Sequence, residues 1–89
     1  MNKALNIYIR QFGNKEKSFA LSDGESIVSK DRLEGIVDVI KEFQKAKIYD
    51  INTIINFDIP CDIRLYDIPE KNTLLSKDEI EYFFQLLSK

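Results

Sequence analysis

Hydrophobic and polar residues alternate along 4–12. Leu5, Ile7 and Ile9 fall on one face of an extended chain, and Asn6, Tyr8, Arg10 and Phe12 on the other. That period of two predicts a strand with one buried side. Gly13-Asn14-Lys15-Glu16-Lys17 is polar and opens on glycine, as a five-residue hairpin loop does. The extended pattern resumes over 18–21 with Phe19 and Leu21, and Asp23-Gly24 signals the next turn. A short third strand is expected over 26–29.

The period then lengthens. Leu33, Ile36, Val37, Ile40, Phe43 and Ala46 follow a 3.6-residue stripe, with Glu34, Asp38, Lys41, Glu42 and Lys45 opposite. Asp31 is the expected N-cap, paired with Glu34 three residues on. Gly35 costs this helix up to ~1 kcal/mol relative to alanine, and close packing on a sheet would account for it.

From Thr53 the period is two again. Ile55, Phe57 and Ile59 share a face against Asn56 and Asp58, and Pro60 ends the run because it cannot donate to a ladder. Cys61, Ile63 and Leu65 then alternate with Asp62, Arg64 and Tyr66, which predicts another strand. Asp-Ile-Pro occurs at 58–60 and 67–69, read as matching strand ends.

The last helix has the clearest local signal. Ser76 and Glu79 make an S-x-x-E capping box, with Leu75 and Ile80 placed as a hydrophobic staple. Ile80, Phe83, Phe84 and Leu87 form the expected buried stripe, with Tyr82 and Leu86 beside it.

Strands joined as hairpins and followed by helices define an α+β class. The expected architecture is a single compact domain over 1–89. It has a mainly antiparallel sheet of four to five strands, with both helices packed on the face of Leu5, Ile7 and Ile9. The other sheet face is then left to water or to a partner.

Composition narrows the chemistry. A chain of 89 residues buries roughly 60–65% of its surface, so one core must carry its stability. The single cysteine, Cys61, cannot close an internal disulfide. Its parity places it inward, where a thiol acts as a small hydrophobe. Residues 1–10 do not read as a signal peptide, and no apolar run approaches the ~18–20 residues of a membrane span. A cytoplasmic setting is expected.

The chain has no histidine, which removes the commonest general base and metal ligand. Its three glycines stand singly, so no glycine-rich phosphate loop can form. Residues 1–49 hold nine Lys/Arg against seven Asp/Glu, net +2, and residues 50–89 hold four against eight, net −4. No concentrated basic patch is visible along the sequence.

Two constellations remain. Tyr8, Arg10 and Phe12 put two aromatics and a cation on the outward sheet face. Such a trio suits a second packed layer, a protein contact or stacked nucleic-acid bases. Asp58, Asp62 and Asp67 are close in sequence. They read as solvated strand-edge charges that discourage edge pairing, as an acidic surface for a basic partner groove, or as carboxylates for a divalent cation, although no glycine-centred calcium loop surrounds them. Tyr82 and Leu86 meet either another segment of the chain or a second subunit.

By exclusion, the leading expectation is a non-enzymatic protein-binding module, such as a small inhibitor, immunity or adaptor protein, with no cofactor or metal. Its contact residues would be Tyr8, Arg10 and Phe12, then Asp58, Asp62 and Asp67. The alternative is nucleic-acid or small-ligand binding on the same sheet face.

Overall fold

The alternating segment at the start of the chain forms the central strand. A computed structural model describes residues 4–23, 26–49, 53–58 and 70–89. In it β1 (Ala4–Phe12), β2 (Ser18–Ser22) and β3 (Ile27–Lys30) form an antiparallel meander, followed by α1 (Leu33–Lys45), β4 (Ile54–Asn56), β5 (Glu70–Thr73) and α2 (Lys77–Leu87). The class is α+β, with a five-stranded sheet that is antiparallel apart from one parallel pair.

On one side of β1 the register sets Tyr8 opposite Ala20 and Arg10 opposite Ser18; β2 then sets Ala20 opposite Ser29 and Phe19 opposite Lys30. Two short strands share the other side of β1. Ala4–Asn6 pair with β4 in parallel, and Ile9–Phe12 pair with β5 antiparallel. The C-terminal ends of β4 and β5 therefore both point toward the middle of β1, at Ile7–Tyr8.

The hydrophobic core lies on the predicted face. Leu5, Ile7 and Leu21 of the sheet pack with Leu33, Ile36, Val37 and Ile40 of α1, Tyr49, Leu75, and Phe83 of α2. At Gly35 α1 lies close against β3. A Cβ there would stand 3.0 Å from the Lys30 Cβ, so the close packing expected of this glycine is present.

Helix ends show what local sequence decides. At α2 the capping box is complete: the Glu79 N–H donates to Ser76 Oγ (3.2 Å) and the Ser76 N–H to Glu79 Oε1 (2.8 Å). At α1 the expected cap is displaced. The N-cap is Arg32, with no side-chain hydrogen bond, not Asp31. β3 runs on through Lys30, so the helix starts one residue later than an Asp31–Glu34 pair requires.

The far end of α1 closes in a Schellman turn, with the Ile48 N–H donating to the Phe43 carbonyl (2.8 Å) and the Lys47 N–H to that of Gln44 (3.0 Å). Lys47 takes the left-handed conformation this turn requires, with φ of 61°. The turn delivers Tyr49 into the core, edge-on to Phe43 with ring centroids 5.0 Å apart.

Phe84 departs from the expected buried stripe. It is 48% exposed, because α2 is rotated to centre Phe83 on the core with Ile80, Leu86 and Leu87 flanking it. Its ring instead meets Phe57 (5.7 Å) and Phe83 (5.4 Å) edge-on. The strand expected over 61–66 and the inward placement of Cys61 lie outside the described residues.

Candidate interaction face

The parity of β1 holds through its length, and the second sheet face carries Asn6, Tyr8, Arg10 and Phe12, as alternation requires. From β2 and β3 the register adds Ser18, Ala20, Ser22, Ile27 and Ser29 to that face. Tyr8 and Ala20 are fully buried yet stand apart from the core cluster, consistent with this opposite side.

Burial of Tyr8 corrects the expectation that it anchors a partner from an open face. The residue sits in the middle of the central strand. β2 flanks it on one side and the converging ends of β4 and β5 on the other, and its relative exposure is 0%. It is a structural residue of the second face.

Arg10 and Phe12, toward the end of the strand, remain half-buried. The Arg10 guanidinium lies over the Phe12 ring, 4.6 Å from its centroid, a cation–π contact. Its Nη1 reaches across β2 to Ser29 Oγ at 3.5 Å, so the side chain lies flat on the sheet. Opposite Arg10 on β5 is Asn72, whose Oδ1 is buried without a hydrogen-bond partner among the described residues.

The meander gathers more charge at this end than the linear sequence suggests. Antiparallel pairing puts the C-terminal ends of β1 and β3 beside the N-terminal end of β2. The β1–β2 loop and the β3–α1 junction therefore share one corner with Arg10 and Phe12. The loop is held by the Lys15 N–H donating to the Phe12 carbonyl (2.9 Å) and Gln11 Nε2 to the Lys15 carbonyl (2.9 Å). Gly13 supplies its positive φ of 53°.

Lys15, Lys17, Lys30 and Arg32 are all exposed at this end of the sheet, with Glu16 and Asp31 between them. Sequence reasoning missed this cluster, because its cations are separated by up to seventeen positions along the chain. The strand register brings them to one end of the sheet but not to one face, because Lys30 stands opposite Phe19 and packs against Gly35 of α1.

The acidic set is partly placed. Asp58 is exposed just beyond β4, while Asp62 and Asp67 lie outside the described residues. Tyr82 and Leu86 are engaged within the chain. The Tyr82 hydroxyl donates to Glu34 Oε1 on α1, and Leu86 packs on the core. This hydrogen bond, with that from the Glu34 backbone and the charge of Arg32, holds the Glu34 carboxyl below the usual carboxylate range. The same bond raises the Tyr82 hydroxyl. Burial raises that of Tyr49.

Among the described residues, no helix is long and apolar enough to cross a membrane. Comparison with protein-family models, curated proteins and solved structures finds no match for this chain.

Proposed function

We propose that this chain is a non-enzymatic, cytoplasmic protein-binding domain, acting as a small inhibitor, immunity or adaptor protein. Arg10 and Phe12 are the centre of its contact surface. The observation that carries this reading is their stacked pair, held flat at the end of a sheet face that neither helix covers. Arginine and aromatic side chains are enriched at protein contacts, and a guanidinium fixed on a ring has already lost much of its rotamer freedom. A rigid body with such a pair can occupy a surface of a larger protein without catalytic groups.

The test is affinity capture from cells that express the chain, with bound proteins identified by mass spectrometry. Phe12→Ala is expected to lose the specific partner, since buried aromatic anchors contribute about 2 kcal/mol or more, while circular dichroism shows the fold retained. Capture undiminished by both Phe12→Ala and Arg10→Ala would reject this surface.

A further inference from the structure

We infer that α2 is a strap that lifts from α1 as one unit while the β1–β3 meander and α1 stay folded. The core divides unevenly along the chain. Among the described residues, every member of the buried cluster except Leu75 and Phe83 lies between Leu5 and Tyr49. The meander and α1 therefore close most of the core by themselves. To this α2 adds one fully buried side chain, Phe83, whereas α1 buries Leu33, Ile36, Val37 and Ile40.

The mounting of α2 fits that division. Among the described residues its backbone runs beside α1 and beside no strand. Its polar ties lead to α1 as well. The Tyr82 hydroxyl donates to Glu34 Oε1, and Lys41 Nζ donates to the Lys89 carbonyl (2.9 Å). Both ties are exposed, where exchange with water leaves a hydrogen bond only a modest net contribution. The rings of Phe83 and Phe84 also meet Phe57 edge-on. The rest of the apolar side is incompletely covered: Tyr82 and Phe84 are exposed, and Ile80, Leu86 and Leu87 are half-buried.

The start of α2 needs nothing from the rest of the fold, because its capping box closes within Ser76–Glu79. Lifting therefore gives up few buried contacts, which is the condition for an opening that precedes global unfolding. A free helix of eleven residues is marginal in water, so the lifted strap unwinds and re-forms as it docks. The open state uncovers the core surface beneath Phe83, on the sheet face opposite Arg10 and Phe12.

Native-state hydrogen exchange of the whole chain in rising, sub-denaturing urea tests this. Amides of Ile80–Ser88 should open through one shared process at least tenfold more often than those of β1 and β2. The urea dependence of that process should be weaker, since it exposes less surface. Leu21→Ala in β2 should speed exchange in β1 and β2 yet leave the α2 amides unchanged, because lifting keeps the meander intact. Leu21→Val takes its place if the alanine variant does not fold. Tyr82→Phe should speed α2 exchange severalfold.

Amides of α2 that match those of β1 in rate and urea dependence overturn the inference. So does acceleration of α2 by the Leu21 variant equal to that of β1, since both would then open only globally. A urea-insensitive gradient of exchange along α2 also overturns it, because that is fraying of one end and not lifting of a unit. An α2 rate unmoved by Tyr82→Phe does the same, because the tie to α1 would then hold nothing down.

Discussion

Replacing Lys47 by glycine should stabilise the protein. Lys47 occupies the position after the C-cap of α1 with φ of 61°, where a side chain crowds its own backbone. The left-handed conformation costs an L-residue about 1–2 kcal/mol. Glycine removes that strain, but its freer unfolded chain takes back about 0.4–1 kcal/mol. Loss of an exposed cation near a helix C-terminus takes back about 0.3 kcal/mol more.

The net expectation for Lys47→Gly is a gain of about 0.5 kcal/mol. In a domain of this size that raises Tm by about 2–4 °C. Both turn hydrogen bonds come from backbone groups, so they survive the change. Lys47→Ala keeps the Cβ and should give no gain. Lys47→Pro removes the N–H donated to Gln44 and forbids the positive φ, so it should destabilise markedly. Thermal and urea melts of the three variants decide the matter. A glycine variant no more stable than the alanine variant would refute the assignment of a strained left-handed residue.

Ser76→Ala removes the acceptor for the Glu79 N–H and should cost about 0.5–2 kcal/mol in a urea melt. Glu79→Ala should add little on top of it, because the two bonds form one box. The bond between Tyr82 and Glu34 should make stability depend on pH at both extremes. Glu34 is depressed, so its contribution is present above its ordinary 4.5 and fades as pH falls through the lower folded value. Tyr82 is raised, so its contribution is present below 10.0 and fades as pH climbs through the higher folded value. The stability gap between wild type and Tyr82→Phe should thus be widest between those limits, and melts across pH would show a constant gap if the bond were absent. Gly35→Ala should fail to deliver the ~1 kcal/mol expected of alanine in a helix, because the new Cβ meets Lys30 at the root of its side chain; a full gain in the melt would contradict that contact. Tyr8→Ala should cost about 3–5 kcal/mol, as for other large buried aromatics, and a urea melt showing no loss of stability would contradict its burial.

Much of the architecture was legible from periodicity and caps. The first hairpin, both helices and the core face of β1 follow from where Leu5, Ile7, Ile9, Ile36, Ile40 and Phe83 fall. The Ser76–Glu79 box needs only its own four residues, so it reads directly. What failed to read depends on neighbours. Asp31 has the chemistry of a cap, but β3 extends far enough to move the helix start past it. Glu70–Thr73 lacks the apolar alternation of a strand and has one β-branched residue, Thr73, and it is drawn into the sheet by pairing with the ladder of β1. Phe84 fits the helical stripe, yet the rotation of α2 depends on the fit of Phe83 against elements distant in sequence.

Parity predicts which face of a sheet a residue occupies but not whether water reaches it. Tyr8 and Phe12 share a face by the same alternation, yet Tyr8 is fully buried and Phe12 only half-buried. At a strand end the ladder stops, and loops take over. In an antiparallel meander those ends coincide, so the loop after β1 and the turn after β3 emerge together. Charged residues collect in such loops, as Lys15, Glu16 and Lys17 do in the loop that follows Phe12. On the proposed reading, contact falls at the end of the second face, where Arg10 and Phe12 are held against each other and remain partly accessible.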